Sequence, residues 1–156
     1  MKAGRIAPIV LLAAALAACG SPPASETKGG PEYLPPGGPG GAPFSEAVRV
    51  GDMLYLSGQL GTDPDTKRIV PGGLAAETRQ TLENIKKTLE KYGSSMDRVV
   101  SVTVMLADMS EWAEMNKVYA AFFSDNRPAR NAFGAAGLAL GARIEIVCVA
   151  LAGTNR

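Results

Sequence analysis

The chain has 156 residues, with 16 Lys and Arg against 15 Asp and Glu, no His and two Cys. A net charge of +1 argues against a dedicated nucleic-acid surface, which needs clustered basic side chains. Without His there is no imidazole base, no Ser-His-Asp triad and no ordinary zinc site. Cys19 and Cys148 alone build neither a disulfide framework nor a four-cysteine metal site. No cofactor or metal is expected, and any chemistry falls to carboxylates, guanidinium groups, hydroxyls, amides and the backbone.

The first residues have the order of a targeting segment. Lys2 and Arg5 supply a positive start, and Ile9-Val10-Leu11-Leu12-Ala13-Ala14-Ala15-Leu16 forms a short apolar run. That run is far below the roughly 20 residues a spanning helix needs. It ends in Leu16-Ala17-Ala18-Cys19-Gly20, which resembles a bacterial lipobox. The resemblance implies a signal peptide over residues 1–18, with Cys19 lipidated as the new N-terminus. The competing reading is ordinary secretory cleavage after Ala18, leaving Cys19 free. Removing residues 1–18 takes away Lys2 and Arg5 and turns the balance from +1 to −1. With no polybasic patch, acyl chains would be the sole membrane attachment, and stable anchoring needs more than one chain. Gly20 is not the Asp that signals inner-membrane retention in many Gram-negative lipoproteins. The expected address is therefore the periplasm and cell envelope, with the outer membrane favoured.

Residues 20–42 hold seven Gly and six Pro, a composition that buries too little apolar surface to offset chain ordering. Residues 19–42 are expected to be a lipidated Cys and a disordered tether reaching roughly 25–30 Å, with Tyr33-Leu34 free of the domain.

The pattern changes at Pro43, where one domain running to residue 156 is expected. Val48-Arg49-Val50-Gly51-Asp52-Met53-Leu54-Tyr55-Leu56 reads as two strands around a tight Gly-Asp turn. Over residues 74–92, Leu82, Ile85, Leu89 and Tyr92 fall on one helical stripe, and Gly93 is the stop signal. The β-branched run Val99–Leu106 predicts a central strand. A second helix is predicted from Ser110 as N-cap to Pro128, with Trp112, Met115, Tyr119, Phe122 and Phe123 as core. Arg130–Ala135 and Arg143–Leu151 then read as two final strands. The order β-β-α-β-α-β-β gives a mixed sheet with interleaved helices.

Two charged residues stand out. Glu145 lies in the apolar strand Arg143-Ile144-Glu145-Ile146-Val147-Cys148-Val149, and Arg130 opens a strand after a turn. A carboxylate in such a strand costs desolvation unless it is paired or functional. On composition alone the alternatives stay open: an ion pair of Glu145 with Arg143 or Arg130, a solvent-facing strand, or a site.

From Pro43 to Ala152 the chain resembles the RidA/YjgF family of reactive-intermediate deaminases. The matching blocks are Pro43–Val48, Leu56–Leu60, Thr78–Ile85, Val100–Val104, Asn116–Phe123, Pro128–Arg130 and Arg143–Ile146. The resemblance implies a chorismate-mutase-like α/β (α+β) fold, its mixed sheet carrying two helices on one face. It also implies a homotrimer whose sheets form a central barrel, with ligand clefts between subunits. The implied activity is hydrolysis of 2-imino or enamino acids to 2-oxo acids and ammonia, with small 2-imino and 2-oxo acids as ligands. Arg130 matches the Arg that grips the substrate carboxylate, a task that suits a planar fork. Glu145 matches the Glu that activates water, which needs no His. The backbone near Ala132 would contact the imine. Ser57, Gly58 and Asn116 match positions lining or supporting the cleft, where structural hydrogen bonding by Ser57 and Asn116 is an equal alternative. Phe44 stands where many active members have Tyr, Leu138-Ala139-Leu140-Gly141 replaces a Leu-Pro-x-Gly loop, and Val147 replaces a second Glu. Two rival functions remain open. One is a non-catalytic small-carboxylate binder or chaperone-like module; the other is RNA cleavage, against which charge and address both argue.

Overall fold

The computed structural model describes residues 29–35 and 39–153. The apolar run at 9–16 and Cys19 lie outside the described residues. The chain forms β1 (Glu32–Leu34), β2 (Ala47–Val50), β3 (Met53–Leu56), β4 (Gln59–Leu60), α1 (Gly73–Lys91), β5 (Val99–Leu106), α2 (Trp112–Phe122), β6 (Ala129–Gly134) and β7 (Ile144–Leu151). The sheet order is β1-β2-β3-β7-β5-β6, with β4 also on β7. Every pairing is antiparallel except β5 with β6. The mixed sheet with two helices matches the expected fold class.

Period-two alternation in the two long central strands sets the layers. Val102, Val104 and Leu106 of β5 and Ile144, Ile146, Cys148 and Ala150 of β7 are buried under the helices. Leu74, Leu82, Ile85 and Leu89 of α1 and Met115 and Tyr119 of α2 close the core from the other side. Each large aliphatic side chain so buried contributes roughly 1.5–3 kcal/mol. The opposite sheet face has no layer over it among the described residues, and it presents exposed Tyr33, Val50, Tyr55, Phe133 and Leu151.

α1 stops where the sequence predicts. Gly93 takes φ 75°, its N–H donates to Glu90 O at 3.1 Å, and Ser94 N–H donates to Leu89 O at 2.8 Å. This is the paired closure that a left-handed residue after a helix permits. Glu77 on the same helix is only 4% exposed, and its Oε2 accepts from the Arg143 amide at 2.8 Å. That bond ties the start of β7 to α1.

Four local expectations need correction. The expected disordered tether contains β1: Leu34 pairs with Ala47 and packs against the core, and Glu32 lies 3.4 Å from Arg49. These contacts give three residues enough pairing to form an edge strand despite their Pro and Gly neighbours. The folded unit therefore begins upstream of Pro43. Asp108, whose Oδ1 accepts from Ser110 N–H at 2.8 Å, caps a 3-10 turn over Met109–Glu111. α2 begins only at Trp112, with Glu111 at its N-cap position, so Ser110 is a donor inside that turn rather than the cap of α2. α2 ends at Phe122, well before Pro128. Trp112, expected in the core, is 44% exposed.

Candidate active site

Arg130 is the second residue of the edge strand β6 and pairs with Val102 of β5. Val102 points into the core, so Arg130 and Ala132, opposite buried Val104, lie on the helix-covered face. There α2 receives the guanidinium. Arg130 Nη1 donates to Asn116 Oδ1 at 2.7 Å, and its Cζ lies 4.5 Å from the Tyr119 ring centroid and 6.0 Å from that of Trp112. One of five N–H groups is thus committed, and the planar fork is held over an aromatic face. A cavity of about 400 Å3 opens here, walled by Asn116, Tyr119, Ala120, Phe123, Arg127, Pro128 and Arg130.

Tyr119 is 8% exposed, and its hydroxyl is buried with no hydrogen-bond partner. Burial pushes this phenol up to about 12, with a smaller opposing pull from Arg130, so it stays protonated near neutral pH. Burial likewise pushes the Cys148 thiol up to about 12, which makes it a core residue rather than a nucleophile.

Glu145 lies on the other face. It pairs with Met105 of β5 and Leu60 of β4, while its neighbours Ile144 and Ile146 enter the core. Neither expected ion pair forms: Arg143 pairs with Glu111, and Arg130 is bonded to Asn116. Among the described residues no cation lies within ion-pairing distance of Glu145. Its carboxylate instead lies over Gly58, where a Cβ would overlap Oε1 and come within 2.9 Å of Cδ. Ser57 fixes the adjoining loop, its Oγ donating to Ser45 O at 2.6 Å and its N–H to Glu46 O at 3.0 Å. Phe44, one residue before Ser45, is exposed.

The candidate residues therefore fall into two groups within one chain. Arg130, Asn116 and Ala132 form one group on the helix face near the β6 edge. Glu145 and Gly58 form the other, on the far side of the sheet, with Ser57 next to Gly58 in the loop; Phe44 is exposed, and its side chain is not among those brought against the carboxylate. Sequence reasoning missed Tyr119 and Trp112 as site residues because helical spacing serves a core stripe and a cavity wall equally. The signal that could have found them is the partner Arg130 needs if it is partly buried.

A mixed sheet of this order backed by two helices is a fold already seen in many solved proteins. Residues 39–152 match the family model described as Endoribonuclease L-PSP. The chain is 40% identical over 111 residues to a mouse 2-iminobutanoate/2-iminopropanoate deaminase, spanning 71% of this chain and 82% of that protein. RidA from an Antarctic Psychrobacter superposes with TM-score 0.68 at 40% identity, covering 70% of this chain and 89% of its own. Escherichia coli TdcF, solved with bound serine, gives TM-score 0.67 at 30% identity, over 70% and 88% of the two chains. The chain belongs to the RidA/YjgF family.

Proposed function

We propose that this protein hydrolyses small 2-imino acids to 2-oxo acids and ammonia, at sites shared between the subunits of a homotrimer. The observation that carries this reading is the arrangement just described: a guanidinium held by Asn116 and Tyr119 with N–H groups to spare, and a carboxylate with no cation in ion-pairing distance among the described residues. A pure binder needs only the first. The name of the mouse relative supports the substrate class.

In the proposed reaction the substrate carboxylate takes two charge-assisted hydrogen bonds from the free N–H groups of Arg130. Glu145 accepts a proton from water as the water oxygen attacks C2, and the C=N π electrons move to nitrogen. Glu145 then returns its proton to that nitrogen. The hydroxyl proton of this carbinolamine passes to the nitrogen as the C–N bond breaks and the C=O forms, and ammonia leaves. The test is production of 2-oxo acid and ammonia when an amino-acid oxidase generates 2-imino acids beside the purified protein. Binding of 2-oxobutanoate without hydrolysis above background would replace this reading with a carboxylate-binding module.

Arg130→Lys replaces a fork with a point charge. It is expected to weaken 2-oxobutanoate binding by one to two decades, from a loss of roughly 1.5–3 kcal/mol. The chain's single Trp, Trp112, lies 6.0 Å from this guanidinium, so intrinsic fluorescence can follow the titration.

Two features support the trimer: a site split across two sheet faces, and an apolar sheet face left open. Protein from residue 29 onward should scatter light with a trimer's mass at micromolar concentration; a monomer would remove the composite site. The address is proposed from the lipobox-like Leu16–Gly20 alone. Metabolic labelling with a clickable fatty acid should mark wild type but not Cys19→Ser, and equal label on both would rule out acylation at Cys19.

A further inference from the structure

The cavity beside Arg130 holds a second guanidinium. Arg127 lines it together with Arg130, and no Asp or Glu does. Arg127 is exposed, and among the described residues it has neither an ion-pair partner nor a side-chain hydrogen bond. The nearest acidic residue in sequence, Asp125, lines a different cavity with Lys86, Glu90 and Asp97. Ala120, Phe123 and Pro128 also wall this cavity, an apolar lining suited to methylene groups. Pro128 also confines residue 127 to extended backbone, which limits the range of positions this Arg samples.

Two unneutralised cations lining one partly apolar cavity suit an anion at each end of a short carbon chain. We propose that Arg127 is a specificity residue, selecting 2-imino acids whose side chain ends in a second carboxylate. Arg130 holds the C1 carboxylate and Arg127 the distal one. This inference rests on the reading of Arg130 as the carboxylate grip, and it narrows the substrate class from small 2-imino acids in general to dicarboxylic ones.

The test is calorimetry on the full-length protein with 2-oxoglutarate and 2-oxobutanoate, which differ in the distal carboxylate. 2-Oxoglutarate should bind about three- to tenfold tighter, as expected for one charge-assisted contact at an exposed site. High salt should erode that preference. Arg127→Gln should bring the ratio of dissociation constants to about one, and Arg127→Lys should retain part of the preference. A wild-type ratio of one or less, or a preference that survives Arg127→Gln, overturns the proposal while leaving the Arg130 grip intact. Failure of both oxo acids to bind overturns the grip itself and this inference with it.

Discussion

Replacing Glu145 with Gln is expected to cut imine turnover by roughly 10²–10⁴, the usual contribution of a positioned general base. The amide keeps the size and polarity of the side chain and cannot take a proton from water. Glu145 forms no ion pair among the described residues, so the substitution strands no buried partner, and stability should move little. 2-Oxobutanoate affinity should stay within a few-fold, because Arg130 lies on the other face of the sheet. Loss of turnover with retained binding separates chemistry from gripping. If turnover survives Glu145→Gln, another group activates water, and the assignment fails.

The same variant tests where the halves meet. If each site takes Arg130 from one subunit and Glu145 from its neighbour, an inactive Arg130→Ala chain can complement an inactive Glu145→Gln chain. In randomly mixed trimers one half of the first positions times one half of the second leaves about a quarter of interfaces intact, as head-to-tail contacts require. Co-expression should recover activity near that fraction. A site contained in one chain would recover none.

The candidate positions are legible in the sequence, and their arrangement is not. Glu145 and Arg130 each contradict their local setting, which marks them as candidates. Charge in an apolar strand leaves an ion pair and a solvent-facing strand open, and only the family resemblance gives them roles. Their separation onto two faces depends on the parallel register of Val102 with Arg130 and the antiparallel register of Met105 with Glu145. No pattern within either strand fixes such a pairing. Helical spacing marks both Trp112 and Tyr119 as core; Tyr119 is core and also walls the cavity, while Trp112, at the first turn of α2, is half exposed. β1 was hidden by composition, since Glu32-Tyr33-Leu34 gains its order from Ala47 and Arg49. The start of α2 is not legible because Asp108 caps a 3-10 turn that runs directly into the helix, so a good cap residue such as Ser110 falls inside the turn. By contrast, the end of α1 was legible because Gly93 supplies the left-handed conformation locally.

Gly58 offers a change that reaches Glu145 without touching its chemistry. Its φ is not left-handed, so Ala can adopt the backbone there and the objection is spatial. The atoms a new Cβ would strike are Oε1, Cδ and Cγ of Glu145, the far end of a flexible side chain rather than backbone. The carboxylate can swing aside, and the fold should be spared, with a stability change of roughly 1 kcal/mol or less. Catalysis has no such latitude, since moving a catalytic group by about 1 Å can cost on the order of 10²-fold in rate. Gly58→Ala is therefore expected to lower kcat by one to two decades while leaving the denaturation midpoint and 2-oxobutanoate binding near wild type. Those three quantities, measured on one preparation by coupled assay, urea titration and calorimetry, distinguish the outcomes. Wild-type turnover in Gly58→Ala would mean that the carboxylate works from a position other than the one over Gly58. A collapse of stability would mean that the glycine is needed for packing and not for placing the base.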